Sequence, residues 1–140
     1  MENTQKTTVI GARSAHILVA EDNAVNRLVV KAMLSDMVHF DLTIDMVVDG
    51  QQALDFITQG GTPDVVLMDV QMPVMDGLAA TAQIREWEAA QDKPHLTIIA
   101  LTANVYEENR QNCLAAGMDD FLAKPLDIAK LEAALACWLK

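Results

Sequence analysis

Short apolar runs alternate with stretches of helical periodicity along almost the whole chain, and this alternation is the feature that most restricts the fold. The runs are rich in apolar residues, which suits strands that are buried on both faces of a sheet. They lie at residues 17–20, 43–48, 64–68, 97–101 and 120–123. Five such runs separated by helices predict an α/β domain whose parallel sheet is covered on both faces.

The stretches between the runs carry apolar residues at three- and four-residue spacing, which is typical of helices with one core-facing side. They are predicted at residues 24–37, 53–57, 78–90, 104–116 and 127–139. The predicted core-facing side of the first helix consists of Val25, Leu28, Val29, Ala32 and Met33.

Caps indicate where the fourth helix begins and where both the second and the fourth helix end. Gly60 and Gly61 follow the second helix. Asn104 could cap the fourth helix while Glu107 reaches back three residues later, and Gly117 would end it. The fifth helix is expected to turn Ile128, Leu131, Leu135, Trp138 and Leu139 inward.

Length and charge restrict the domain organisation and the partners. A chain of 140 residues fits one domain. Residues 1–15 are polar without a sustained period, so they predict a linker or a frayed N-terminus, and residues 16–140 form the domain. A net charge of −10 argues against nucleic acid as a partner. Without a run of 18 apolar residues, we expect no membrane contact and a cytoplasmic location.

The residues that follow the first, third, fourth and fifth predicted strands are all polar. Glu21 and Asp22 follow the first, Asp69 the third, Thr102 the fourth and Lys124 the fifth. In open α/β sheets, ligands bind beyond the carboxyl ends of the strands, where the strand order reverses. Each of these residues also has an ordinary alternative, such as a helix cap, a turn acid or a solvated base, but their coincidence at strand ends favours a shared site.

Three carboxylates gathered at one sheet edge repel one another and need a counter-charge. A divalent cation and Lys124 would supply it, and oxygen ligands without histidine or cysteine favour Mg²⁺. Such a site suggests phosphoryl chemistry, with Asp69 as the nucleophile that forms an aspartyl phosphate. Lys124 and Thr102 would then contact phosphoryl oxygens, while Glu21 and Asp22 hold the metal directly or through water.

Four segments carry a resemblance to a known family. ILVAEDNAVNRLV, DVVLMDVQMPVMDG, IIALTA and FLAKP, in this order, resemble the receiver domain of two-component response regulators over residues 16–140. The resemblance implies a doubly wound, flavodoxin-like sheet of strand order 2-1-3-4-5. It also implies that Asp69 accepts a phosphoryl group from a phosphohistidine on a histidine kinase domain or a histidine phosphotransfer protein.

The resemblance further implies the metal ligands and a conformational switch. Asp22, Asp69 and the main-chain carbonyl of Gln71 would bind Mg²⁺, and Glu21 would act mainly through a metal-bound water. After phosphorylation Thr102 would move toward the phosphoryl group. The side chain of Phe121 would rotate inward at a partner-binding face formed by the fourth helix, fifth strand and fifth helix.

Gln71 and Asn104 occupy positions that in this family tune the access of a hydrolytic water. Neither side chain is acidic, so neither can act as a general base. We therefore expect slow self-dephosphorylation, from a domain that catalyses its own phosphorylation without being a conventional enzyme. A weak or phosphorylation-dependent homodimer is a further expectation.

The residues of these motifs most resemble those of receivers attached to hybrid histidine kinases. A free-standing single-domain response regulator is the alternative, and nothing after the fifth helix suggests a DNA-binding output domain. A haloacid-dehalogenase-type phosphatase would need a second acid where Gln71 stands. A flavodoxin-type cofactor binder would need a phosphate loop where Glu21, Asp22 and Asn23 would repel phosphate.

Overall fold

Five parallel strands form one sheet, and their order across it, numbered along the chain, is 2-1-3-4-5, which confirms the predicted doubly wound α/β fold. The computed structural model describes residues 12–103 and 106–139. The strands are β1 Arg13–Ala20, β2 Phe40–Val47, β3 Val65–Asp69, β4 Thr97–Thr102 and β5 Asp120–Ala123. The helices are α1 Ala24–Ser35, α2 Gly50–Thr58, α3 Gly77–Gln91, α4 Glu107–Ala116 and α5 Ile128–Trp138.

The sheet separates two hydrophobic cores. Successive strand residues face opposite sides, so Ile17 and Val19 pack with residues of α1 and α5, whereas Leu18 and Ala20 pack with residues of α2, α3 and α4. All four of these side chains are fully buried. Burial on both faces is the physical reason that the central strand β3 is a continuous apolar run up to Asp69, whereas the edge strand β2 alternates exposed polar residues with apolar ones.

The first strand begins at Arg13, upstream of the predicted domain start at residue 16. Arg13 pairs with Phe40 of β2, and its backbone N–H donates to the carbonyl of His39 at 3.1 Å. Arg13 and Ser14 are exposed, so this part of the strand lacks the apolar pattern used to predict strands. Residues 1–11 of the predicted linker lie outside the described residues.

Helix α1 turns a different side to the core than the sequence predicts. Val30 and Leu34 are its buried residues, whereas Val25 and Leu28 are 66% and 70% exposed. Of the five residues predicted to face the core, Met33 is partly buried against it, and the other four are exposed. The prediction is wrong for these four because the helix carries two overlapping apolar stripes, of which only one can face the sheet. In α5, Ile128 also points outward against the prediction and is exposed.

Carboxylates cap three of the helices. Asp49, Asp76 and Asp127 accept hydrogen bonds from backbone N–H groups in the first turns of α2, α3 and α5. The predicted cap of α4 is wrong, since the N-cap residue is Tyr106 and makes no side-chain cap bond. Asn104 lies outside the described residues.

The ends of α4 and α5 agree with the prediction at Gly117 and Leu139 but not at Trp138. Helix α4 ends at Gly117, as predicted, in a left-handed conformation with φ of 105° that suits glycine. At the end of α5, Leu139 is buried as predicted, whereas Trp138 is exposed and donates its indole N–H to Asp120. Within residues 12–103 and 106–139, no helix has both the length and the apolar character needed to cross a membrane.

Candidate functional site

The strand register places the predicted acids side by side. β1 and β3 are neighbours, and Ala20 pairs with Met68 at their carboxyl ends. Glu21 and Asp69 are the next residues along the two strands, so they meet at the edge of the sheet where the strand order reverses. Both are buried, with exposed fractions of 1% and 5%.

Lys124 joins these two carboxylates. Its Nζ lies 2.8 Å from Glu21 Oε1 and 2.8 Å from Asp69 Oδ2. The other oxygens accept backbone hydrogen bonds, Glu21 Oε2 from Asn23 N–H and Asp69 Oδ1 from Gln71 N–H, each at 3.1 Å. Since every carboxylate oxygen has a donor, two buried acids can lie next to each other.

The charges of the three side chains change one another's acidity. Desolvation and the charge of Glu21 raise the pKa of Asp69, although the hydrogen bond from Lys124 opposes this. Desolvation also acts to raise the pKa of Glu21, but Lys124 and the Asn23 N–H lower it overall. For Lys124, desolvation is outweighed by the two carboxylates, and its pKa is raised.

Asp22 completes a group of acids that fits a divalent cation. Oxygen atoms of Glu21, Asp22 and Asp69 lie within 4.8 Å of one another, and Asp22 is the exposed member. Within the described residues, this group contains no histidine or cysteine, and hard oxygen ligands of this kind suit Mg²⁺. The donor set therefore fits the predicted metal.

Thr102 reaches the same pocket from the end of β4. The pocket has a volume of about 210 Å³. Its lining consists of Asp69, Val70, Gln71, Thr102, Ala103, Asn109 and Lys124. Lys124 donates its backbone N–H to the carbonyl of Thr102 at 2.8 Å, which fixes the end of β5 against the end of β4. All five predicted strand-end residues thus lie around this pocket or at its acidic rim, which together form the acid pocket.

Asn109 also lines this pocket, although no sequence pattern indicates it. This residue lies in the first turn of α4, and its side-chain Nδ2 donates to Thr102 Oγ1 at 3.0 Å. A single asparagine in a polar helix carries no pattern that indicates a site. Only the position of α4 over the end of β4 brings its amide to the pocket.

Gly77, the first residue of α3, lies against the backbone of Asp69 and Val70. The Gly77 N–H donates to the carbonyl of Val70 at 2.9 Å. A Cβ atom on Gly77 would lie 2.2 Å from the carbonyl oxygen of Asp69, which is too close for any other residue. The start of α3 therefore packs directly against the backbone of the acid.

The remaining predicted residues lie outside the acid pocket or at its edge. Phe121 is half-buried against the core on the α2, α3 and α4 side of the sheet. The guanidinium of Arg110 lies over its ring, 5.8 Å from the centroid. Gln71 lines the pocket and is exposed to solvent. Asn104 lies outside the described residues.

Sensor kinases are among the curated proteins with similar sequences. The chain is 38% identical over 129 residues to the "Sensor protein GacS" of Pseudomonas syringae pv. syringae, which covers 92% of this chain. The match spans only 14% of that relative, so this chain corresponds to a small part of it.

Solved structures resemble this chain in both fold and sequence. The receiver domain of sensor histidine kinase PA1611 from Pseudomonas aeruginosa PAO1, solved with magnesium in its active site cleft, is 41% identical with a TM-score of 0.77. That likeness covers 90% of this chain and 98% of the other.

A receiver domain in complex with a partner is also similar. The co-crystal structure of the Saccharomyces cerevisiae histidine phosphotransfer protein Ypd1 with the receiver domain of Ssk1 matches with 26% identity and a TM-score of 0.80, covering 91% of this chain and 90% of that one. A profile described as the response regulator receiver domain matches residues 17–136. The chain belongs to the family of response regulator receiver domains.

Proposed function

We propose that this domain accepts a phosphoryl group on Asp69 from a phosphohistidine and passes the signal on through a change of conformation. The observation that supports this most directly is Lys124 Nζ, which lies 2.8 Å from both Glu21 and Asp69 at the sheet edge. A buried carboxylate next to a fixed positive charge and an acidic group suited to a cation is the arrangement that phosphoryl transfer to aspartate requires.

The transfer needs one displacement at phosphorus. A carboxylate oxygen of Asp69 attacks the phosphorus, and the new P–O bond forms as the P–N bond to the donor histidine breaks. The histidine nitrogen leaves with the electron pair of that bond and takes a proton from water. Lys124 then faces a phosphoryl oxygen and stabilises its negative charge, and the hydroxyl of Thr102 donates to another.

Glu21, Asp22, Asp69 and the main-chain carbonyl of Gln71 would hold Mg²⁺, Glu21 through a water. The cation would neutralise the acids and the phosphoryl oxygens. The chain's own contribution is to fix these oxygens before the donor arrives. Lys124 and the backbone N–H groups of Asn23 and Gln71 already hold the carboxylates in place.

The switch would follow from the movement of Thr102 toward the phosphoryl group. Phe121, half-buried under Arg110, would rotate inward into the space that this movement opens. The surface of α4, β5 and α5 would change as a result. Because Gln71 is not acidic, we also propose that hydrolysis of the phosphorylated domain without a partner is slow.

The similarity to sensor kinases supports a place for this domain within a hybrid histidine kinase. The Pseudomonas relative matched over 92% of this chain is a sensor protein of which this chain spans 14%. A kinase domain or a histidine phosphotransfer protein would then supply the phosphoryl group. Cys113 and Cys137 are free thiols, which are usual in a reducing compartment and support a cytoplasmic location.

The exposed side of α1 supplies a docking surface for the donor. Val25, Leu28 and Val29 are exposed apolar residues of this helix. Val29 also lines an open cleft of about 430 Å³ that Glu21 and Lys124 share, so the surface continues into the acid pocket. We assign it to a helix of the phosphohistidine-bearing partner, since a donor bound there would have its histidine close to Asp69.

Leu28→Asp tests this surface. We expect transfer from a phosphorylated partner protein to slow about tenfold or more, because a leucine buried on docking contributes roughly 1.5–3 kcal/mol. Labelling by acetyl phosphate should stay unchanged, since it needs no docking. Initial rates with both donors measure this. Leu114→Asp on α4, where the leucine is 45% exposed, is the matched control, and an equal loss in that variant would contradict the assignment.

Lys124→Ala separates metal binding from phosphoryl transfer. We expect Mg²⁺ to bind with unchanged or higher affinity, because the substitution removes a positive charge next to the ligands. The rate of phosphoryl acceptance should fall on the order of 10²-fold, the usual effect of removing one preorganised donor. Calorimetric Mg²⁺ titration and labelling rates measure the two effects. Lys130→Ala, at an exposed site on α5, is the control, and loss of Mg²⁺ affinity in Lys124→Ala would contradict the role.

The proposed function itself is tested by label transfer. Purified domain is mixed with a ³²P-phosphorylated histidine phosphotransfer protein, with Mg²⁺ or with EDTA. We expect label on the domain only with Mg²⁺, and hydroxylamine should release it, since an acyl phosphate is cleaved by that reagent. Absence of transfer from several such donors and from acetyl phosphate would reject the proposal.

A further inference from the structure

The side-chain hydroxyl of Thr102 is hydrogen-bonded to a residue of helix α4. Asn109 Nδ2 donates to Thr102 Oγ1 at 3.0 Å. Thr102 is buried, with an exposed fraction of 4%, and Asn109 is the half-buried residue of the otherwise exposed first turn of α4. This hydrogen bond therefore crosses from the end of β4 to the helix that the proposed switch moves.

We propose that Asn109 is a positioning residue that restrains Thr102 in the unphosphorylated domain. This inference rests on the proposed function, in which Thr102 moves toward the phosphoryl group. With its Oγ1 held by the Asn109 amide, the threonine side chain can approach Asp69 only if the bond breaks or if α4 moves with it. The hydrogen bond thus raises the free energy of the phosphorylated conformation relative to the resting one.

The position of Asn109 suits this restraint better than a role as a phosphoryl ligand. Both residues line the pocket of about 210 Å³ that also contains Asp69 and Lys124. The amide is directed at the hydroxyl, and Lys124 is the side chain that is directed at the acid. Asn109 therefore acts on the reaction through Thr102.

The test uses the phosphoryl mimic beryllofluoride with Mg²⁺ and follows binding by the backbone amide signals of the pocket residues. We expect Asn109→Ala to bind the mimic about fivefold more tightly than the wild type, because the net strength of one ordinary hydrogen bond no longer opposes the switch. Asn112→Ala, an exposed asparagine of the same helix, should bind like the wild type. Unchanged or weaker binding by Asn109→Ala would overturn the proposal.

A double-mutant cycle separates this restraint from a general effect on α4. In a Thr102→Ala background, Asn109→Ala should no longer alter the affinity for the mimic. A tightening that persists in that background would overturn the proposal. Without any ligand, the side-chain amide signal of Asn109 should shift in Thr102→Ala, and an unshifted signal would also count against it.

Failure of this inference differs from failure of the proposed function. If the wild type neither takes up label from a phosphohistidine donor nor binds beryllofluoride, the proposed function fails. If the wild type does both and Asn109→Ala binds the mimic no more tightly, only the restraint is rejected.

Discussion

Asp69→Asn is expected to reduce phosphoryl acceptance by at least about 10³-fold, because an amide oxygen is not a nucleophile at phosphorus and the displacement has no substitute in the pocket. The substitution keeps the shape of the side chain. Its carbonyl oxygen can still accept from Lys124 Nζ or from the Gln71 N–H, which lie 2.8 Å and 3.1 Å from the carboxylate oxygens. The fold should therefore persist while the chemistry is lost.

The measurement is the initial rate of label uptake from a phosphohistidine donor at saturating Mg²⁺. Asp76→Asn is the matched control, since it neutralises an acid a few residues further along the same loop. Asp76 caps α3 by accepting from Ala79 N–H at 2.8 Å, and asparagine caps helices equally well. Asp76→Asn should take up label at the wild-type rate. Equal labelling of Asp69→Asn and the wild type would show that the acceptor is another residue.

Arg85→Met is expected to destabilise the domain by about 3–5 kcal/mol, the usual cost of removing one partner from a buried ion pair. The guanidinium donates to Glu88 Oε1 at 3.0 Å and to Asp119 Oδ2 at 2.9 Å. It also donates to the carbonyls of Leu96 and Gly117. Without Arg85, two carboxylates whose side chains are 8% and 14% exposed would remain in the interior without this cation.

These carboxylates also hold the start of β4. Glu88 Oε2 accepts from the N–H of Leu96 at 2.7 Å, and Asp119 Oδ2 accepts from the N–H of Ile98 at 2.8 Å. The destabilisation caused by Arg85→Met should therefore extend from α3 to β4, the strand that ends at Thr102. Urea unfolding at neutral pH measures the free energy, with the slope checked for two-state behaviour.

Arg110→Met is the control for the change of side chain. Arg110 lies three residues from Glu107, as Arg85 does from Glu88, but the pair is 3.7 Å apart with side chains 49% and 66% exposed. An exposed pair contributes at most about 1 kcal/mol, so this variant should lose little stability. A loss of under about 1 kcal/mol in Arg85→Met would show that the buried network does not hold the fold together.

The sheet and the acid pocket could be predicted because their signals are local. A strand buried on both faces must be apolar along its whole length, so the polar residue that follows it marks its end. Glu21, Asp69, Thr102 and Lys124 all follow such runs. Because all strands of a parallel sheet end at the same edge, polar residues at the strand ends are predicted to share that edge without knowledge of any contact.

The signals failed where two local solutions were available. Helix α1 has two apolar stripes, and only packing against the sheet selects Val30 and Leu34 over Val25 and Leu28. The same ambiguity hides function, since the stripe predicted as core is the one proposed here to dock a partner. The polar start of β1 at Arg13 was missed for a related reason, because its pairing with β2 is made by backbone atoms.

Buried polar contacts away from the strand ends could not be predicted. Glu88 and Asp119 match the general expectation for acids, which is a solvated surface, and yet Arg85 draws both into the interior. Asn109 meets Thr102 only because α4 begins where it does. No periodicity marks such residues, since a single polar side chain carries no pattern.

The α/β class, the order of the elements and the strand-end acids could be predicted from the amino-acid pattern alone, because burial imposes a repeating pattern along the chain. Three features depend on how the elements pack together: the side of α1 that is exposed, the 2.8 Å distances from Lys124 to Glu21 and Asp69, and the hydrogen bond from Asn109 to Thr102. The difference arises because the two groups of features depend on different interactions. Apolar burial acts on every residue of an element, whereas a hydrogen bond or an ion pair forms only when folding brings two distant atoms within about 3 Å.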